Sequence, residues 1–229
     1  GNRKEIIRNI ETSTLFITII TTFLIVALGL SQTASYHTAV MLFRKGFYQL
    51  ISGHTGTGFQ SIYPQQFFTD WNQLAMVGVI IAMALGGAVC STTGAIKMLR
   101  IGIIFKAFKE DLKRIIMPEK AIIIEKFHHI KEVFLENRQV RSALIITLAY
   151  IILYGLGALV GMFYGHSFLG SLFESTSAAA NVGLSCGITN LAMPAALKVT
   201  YIIQMWAGRL EFMSVFTIIG FLVATIKGK

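Results

Sequence analysis

Two short runs carry residue types suited to holding an ion stripped of its water. One is Gly53-His54-Thr55-Gly56-Thr57-Gly58-Phe59 and the other is Asn181-Val182-Gly183-Leu184-Ser185. A dehydrated alkali cation needs several oxygens in place of its hydration shell, and backbone carbonyls supply them in filters. Aiming carbonyls at one point requires unusual backbone dihedrals, which glycine adopts at least cost. Gly56, Gly58 and Gly183 stand at such positions, and Thr55, Thr57, Asn181 and Ser185 add side-chain support. The expected ion-binding set is Thr55, Gly56, Thr57, Gly58, Asn181, Val182, Gly183 and Leu184. All are neutral, so coordination would come from dipoles, which suits a monovalent ion better than calcium or magnesium.

Elements that could position these runs stand directly before them. Residues 39–52 and 168–180 are membrane-like stretches too short to cross a bilayer, which takes about 20 residues. As half-helices they would turn their negative C-terminal ends toward the ion. Longer apolar runs flank them at 12–30, 74–96, 142–164 and 195–226. Run 74–96 is interrupted by Gly86-Gly87 and Cys90-Ser91-Thr92-Thr93-Gly94, and run 195–226 contains Arg209 and Glu211. The chain thus predicts span, half-helix, glycine loop, span, and then the same order again. Irregular backbone at membrane depth survives only where protein buries it or a water-filled cavity adjoins it. Two ordinary surface loops between four plain helices fit the paired glycine loops less well.

Composition agrees with a polytopic membrane protein. Of 229 residues, 54% are hydrophobic and only 14% charged, against about a quarter charged in soluble domains. A disordered protein, a disulfide scaffold (Cys90 and Cys186 are the two cysteines) and an ordinary cytosolic enzyme are excluded. The net charge of +9 is gathered on one side. Lys97, Arg100, Lys106, Lys109, Lys113, Arg114, Lys120, Lys126, Lys131, Arg138 and Arg141 lie in the central stretch, with Arg3, Lys4, Arg8, Lys227 and Lys229 at the ends. Arg44, Lys45 and Lys198 lie opposite. The positive-inside rule then makes both termini and the centre cytoplasmic and removes the need for a nucleic-acid partner. Residues 101–140 mix apolar and charged types at helical spacing, with Pro118 as a break, and predict amphipathic helices against lipid or a partner. The chain starts at Gly1 without a clean signal-peptide cleavage site, as a processed product, a tagged chain or a piece of a longer one would.

Four runs together resemble the C-terminal half of the TrkH/KtrB potassium transporters of the Trk/Ktr/HKT superfamily. They are SGHTGTGF (52–59), GGAVCSTTGAIKMLR (86–100), SAAANVGLS (177–185) and GRLEF (208–212). The resemblance implies an all-α membrane protein of membrane-pore-membrane repeats, four around one pore, each giving one filter glycine. Gly58 matches the third repeat (1–100) and Gly183 the fourth (141–229), with a cytoplasmic connector at 101–140. It implies potassium as the transported ion, held at the filter only, with no covalently bound cofactor. It further implies a gating loop below the filter, with Gly86, Gly87, Ser91, Thr92, Thr93, Gly94 and Lys97 as its residues and Arg209 beside it. A homodimer of full units in the plasma membrane and a TrkA/KtrA-like nucleotide-binding ring on the cytoplasmic side complete the implied assembly. Thr93 and Ala95 stand where the family loop commonly has more glycine. Two of four repeats cannot ring an ion, so the N-terminal half is expected elsewhere in a longer chain or as a separate one, in preference to pairing of two copies. A sodium-permeable relative and a non-conducting scaffold that recruits a soluble partner are the alternatives.

Single residues carry less. Arg209 is a costly charge within a span and so faces the bundle interior, near the gate by resemblance. Glu211, two residues on, does not share its face. His54 suits a structural hydrogen bond behind the loop, since a protonated imidazole would repel cations. Glu174 fits either a vestibule charge or a buried hydrogen-bond partner, and adjacent His128-His129 fit a solvated pair better than a metal site. Gly56-Thr57-Gly58 lacks the lysine of a phosphate loop, and no nucleophile–base set is present, so enzyme activity is not expected.

Overall fold

The computed structural model describes residues 7–33, 38–118 and 125–228. Arg3, Lys4, Lys120 and Lys229, counted above for orientation, lie outside the described residues. The first long helix, α1 (Ile10–Ser31), starts where the Asn9 side chain accepts from the Glu11 amide. Its threonines meet the demand of an apolar setting: Thr14, Thr18 and Thr22 hydroxyls donate to carbonyls four residues earlier at 2.7, 3.0 and 2.6 Å. A short helical segment follows, built of α2 (Ala39–Met41), a π-helical stretch (Leu42–Phe47) and α3 (Tyr48–His54). After α4 (Gln66–Thr69), α5 (Gln73–Ala84) packs along α1. Gly29 and Gly78 allow that approach, because a Cβ on either would run into Ala75 or Val26 respectively.

The second half repeats the order. Helix α7 (Asn137–Phe163) opens with a capping box of Glu136 and Gln139. The short α8 (Phe168–Ala179) begins at the Ser167 cap and packs on both α7 and α9 (Ala195–Arg209). Helices α1 and α7 are long and apolar enough to cross a membrane, and their exposed faces carry Phe16, Ile20 and Leu24, and Leu148, Ile151 and Leu159. One core joins the halves: Phe67 stacks on Phe173 at 4.7 Å between ring centroids, with Leu50, Met83, Leu184 and Leu197 also fully buried there. The chain is therefore mostly helical, as expected.

Run 74–96 breaks at its glycine-rich interruption: α5 stops at Ala84 and α6 starts at Met98 and continues to Ile116. Two expectations are corrected. Run 195–226 is also broken: α9 ends at Arg209 and α10 (Glu211–Ile226) restarts with Glu211 at φ +56°. The fold is not purely α either. Residues 126–134 form an antiparallel hairpin, β1 (Lys126–His129) and β2 (Lys131–Phe134), instead of a helix. Phe127 pairs with Val133 and packs inward with Ile10, Ile103 and Ala143, so tertiary packing holds the hairpin. Lys113 on α6 binds Glu125 just before the hairpin and holds its carboxyl below the usual carboxylate range.

Candidate ion-conduction site

Helices α3 and α8 end at His54 and Ala179, and the two following loops match at a shift of 179 − 54 = 125 residues. Left-handed backbone recurs at matching places: Gly56 (φ +70°) with Asn181 (φ +56°), and Gly58 (φ +78°) with Gly183 (φ +95°). Asparagine is among the few non-glycine residues that tolerate this region, which explains how one loop manages with a single glycine. The loops touch. A Cβ added to Gly58 would overlap the Val182 carbonyl and lie 3.6 Å from the Gly183 Cα. Beyond the glycines, Gln60 and Ser185 clasp the loops together. The Gln60 Nε2 donates to the Ser185 carbonyl at 3.0 Å, and the Ser185 amide donates back to Gln60 Oε1 at 3.1 Å.

The carbonyls that flank these turns are occupied. Phe59 and Leu184 carbonyls accept serine hydroxyls, Thr55 accepts from Thr93, and Ala180 accepts the Gly94 amide. Among the described residues, no hydrogen bond reaches the carbonyls of Gly56, Thr57, Gly58, Asn181, Val182 or Gly183. Thr55, Thr57 and Gly183 are exposed, whereas Val182 and Leu184 are buried. A cavity of about 260 Å³ flanks the second loop beside Gly183, Tyr201 and Met205, and one of about 580 Å³ flanks the first beside Thr55, Thr57 and Tyr48. Neutral oxygens, two negative helix ends and irregular backbone are the elements of a site for a desolvated monovalent cation.

Residues 85–97 fold back directly against these loops. Gly86 lets the chain pass the His54 carbonyl, where a Cβ would collide. Gly208 plays the same part against the Ala179 carbonyl, so both second helices break where they meet the end of a short helix. The returning strand of the loop is tied by Ile96 N–H to Ala84 at 3.0 Å and Gly94 N–H to Ala180 at 2.9 Å. The Thr93 hydroxyl donates to the Thr55 carbonyl at 3.1 Å. Of the expected gate residues, Gly86, Thr93 and Gly94 therefore reach the glycine loops. Gly87 (φ +81°) and Ser91 shape the turn, and the Thr92 carbonyl accepts from Arg209.

Lys97 is 5% exposed and donates to the Val89 and Ser91 carbonyls at 2.7 and 3.3 Å. Its charge is met by Glu211 at 2.7 Å, which also binds Arg100 at 2.6 Å. Sequence reasoning missed this role for Glu211. The only hint was an acid next to Arg209 in an apolar run. Arg209 and Glu211 hold different parts of the same loop from either side of the Leu210 break. Replacing Arg209 with alanine frees the Thr92 carbonyl, and we expect a raised leak flux; an unchanged or lower flux would remove Arg209 as a barrier.

The remaining candidates are structural. His54 is fully buried, with Nε2 2.9 Å from the Thr18 hydroxyl. Glu174 is buried and accepts from the Ser185 hydroxyl (2.6 Å), the Cys186 amide (2.9 Å) and the Thr189 hydroxyl (2.8 Å), so it pins the chain after the second glycine loop. His128 and His129 lie on a strand, facing Glu132 and Glu11. No cluster of three metal-ligating side chains occurs among the described residues. Cys90 and Cys186 are both free thiols.

Residues 8–223 match the TrkH family, described as cation transport proteins. An uncharacterized cation transporter of Methanocaldococcus jannaschii is 33% identical over 168 residues, which are 73% of this chain and 34% of that protein. The Trk system potassium uptake protein TrkH of Escherichia coli is 29% identical over 90 residues, 39% of this chain and 18% of that one. The crystal structure of the potassium transporter TrkH from Vibrio parahaemolyticus superposes with a TM-score of 0.77 at 22% identity, covering 94% of this chain and 45% of that one. The matched part spans 18% to 45% of the length of these relatives, less than half in each case.

Proposed function

The chain belongs to the TrkH family of cation transport proteins, and from that premise we propose that it supplies two membrane-pore-membrane repeats of a potassium-conducting pore. Residues 1–100 and 141–229 are the repeats, joined by a cytoplasmic connector at 101–140. The filter is formed by Thr55, Gly56, Thr57, Gly58, Asn181, Val182, Gly183 and Leu184. The observation that carries this reading is the contact of the two glycine loops, whose carbonyls of Thr57, Gly58, Val182 and Gly183 take no hydrogen bond among the described residues. Potassium is favoured over sodium by the neutral, dipolar site and by the name of the Escherichia coli relative.

The gate is the loop carrying Gly86, Gly87, Ser91, Thr92, Thr93, Gly94 and Lys97, with Arg209 bracing it. Two loops close half a ring, so the conducting unit needs two further repeats, from the same chain or a separate one. A dimer of such units in the plasma membrane, both termini cytoplasmic, with a nucleotide-binding ring docked below, is the assembly we expect. Uptake of potassium by cells that require it, with the chain in its native gene context, is the test. Growth at low potassium supports conduction. Correctly inserted protein without uptake would favour a scaffold role instead.

A further inference from the structure

We propose that Ser52 and Ser177 are paired positioning residues that set the ion discrimination of the two glycine loops, an inference that rests on the conduction reading above. The two serines stand 125 residues apart, at the register that relates the loops, in the shared pattern Ser-x5-Gly. Both are buried, at 5% and 3% exposure. A helical hydroxyl ordinarily bonds back to the carbonyl one turn earlier, as those of Thr14, Thr18 and the buried Thr22 do in α1. Ser52 and Ser177 bond forward. Each donates to the carbonyl seven residues later, Phe59 and Leu184, at 2.6 Å in both cases.

Those carbonyls immediately follow the filter glycines. Tying them to the short helix fixes the far end of each loop. The near end is fixed by the same residue, since the Thr57 and Val182 amides donate to the Ser52 and Ser177 carbonyls at 3.1 and 2.9 Å. The unbonded carbonyls of Thr57, Gly58, Val182 and Gly183 lie between these ties. Loop sequence differs between the halves, Thr57 against Val182 and Phe59 against Leu184, while the serine tie is kept. A filter distinguishes cations by where its carbonyls can be held, so the hydroxyls act on discrimination through the glycines without touching the ion.

The halves are not equal. The Gly183 amide also donates to Ser177 Oγ at 3.2 Å, whereas the Gly58 amide donates to the Ser52 carbonyl at 3.3 Å. Alanine at 177 removes two bonds and alanine at 52 removes one.

The test is the potassium-to-sodium permeability ratio of the conducting assembly in liposomes, with Gly58→Ser as reference. Ser52→Ala is expected to lower the ratio about fivefold, the equivalent of one ordinary hydrogen bond, and Ser177→Ala to lower it further. Ser52→Thr and Ser177→Thr, which keep the hydroxyl, should retain more of the ratio than the alanine variants. If an alanine variant does not fold, the near-isosteric cysteine, a weak donor, replaces it and should also lower the ratio. An unchanged ratio in folded alanine or cysteine variants, with Gly58→Ser still lowering it, overturns the serine assignment and leaves the filter standing. An unchanged ratio in all of them, Gly58→Ser included, defeats the filter reading itself.

Discussion

Gly58→Ser is expected to lower the potassium-to-sodium permeability ratio tenfold or more. Two costs combine at this position. The backbone is left-handed at φ +78°, which strains a non-glycine residue by about 1–3 kcal/mol. The new Cβ also meets the Val182 carbonyl, which is backbone and cannot rotate aside. The first loop must move, or it must push the second, and either displaces the carbonyls of both. Gly183 gives an internal comparison. It is left-handed at φ +95° but has nothing within 4 Å of an added Cβ. Gly183→Ser should therefore impair discrimination less than Gly58→Ser. Equal ratios for wild type and Gly58→Ser would defeat the assignment of that glycine, and a reversed order would show that strain outweighs collision.

Glu211→Gln should raise leak flux several-fold while leaving the ion ratio near its original value. Lys97 is almost wholly enclosed and lies 2.7 Å from Glu211. Removing one partner of an enclosed pair leaves an uncompensated charge, at a cost of about 3–5 kcal/mol for a fully buried one. The Glu211 side chain is 32% exposed, so water screens part of this and the cost is about 1–3 kcal/mol. Lys97 also holds the Val89 and Ser91 carbonyls, so its loosened charge is passed straight to the loop between Leu85 and Lys97. Lys97→Met removes the cation instead. The double variant should therefore be less impaired than the two single effects combined, because charge and partner leave together. Additive effects would mean that the two residues act separately.

The two glycine loops and the short helices before them were legible because their signal is local. Glycines at 56, 58 and 183 follow apolar stretches too short to span, and the structure ends short helices at His54 and Ala179 close to where that reasoning put them. The break before Met98 was foreshadowed by Gly86-Gly87. The break at Leu210 was harder to read, since a single glycine, Gly208, precedes it and the residues on to 226 are mostly apolar. At the break Glu211 takes a left-handed backbone and pairs with Lys97 and Arg100, a contact between positions 114 residues apart (211 − 97). The hairpin at 126–134 was hidden for another reason. Its apolar residues Phe127, Ile130, Val133 and Phe134 do not alternate but recur three and four apart, the spacing of an amphipathic helix face. For Glu174 the sequence left vestibule and buried roles open. Four hydrogen-bond donors from Ser185, Cys186 and Thr189 decide for the buried one.

On the proposed reading, main-chain oxygens of the two glycine loops coordinate a desolvated monovalent cation. Crystals of the conducting assembly grown in thallium or rubidium salts test it most directly, through the anomalous signal of the ion. A peak is expected between Gly58 and Gly183, in contact with carbonyls of Thr57, Gly58, Val182 or Gly183. A well-ordered filter without such a peak, with ions found instead beside Glu174 or outside the loops, would contradict it.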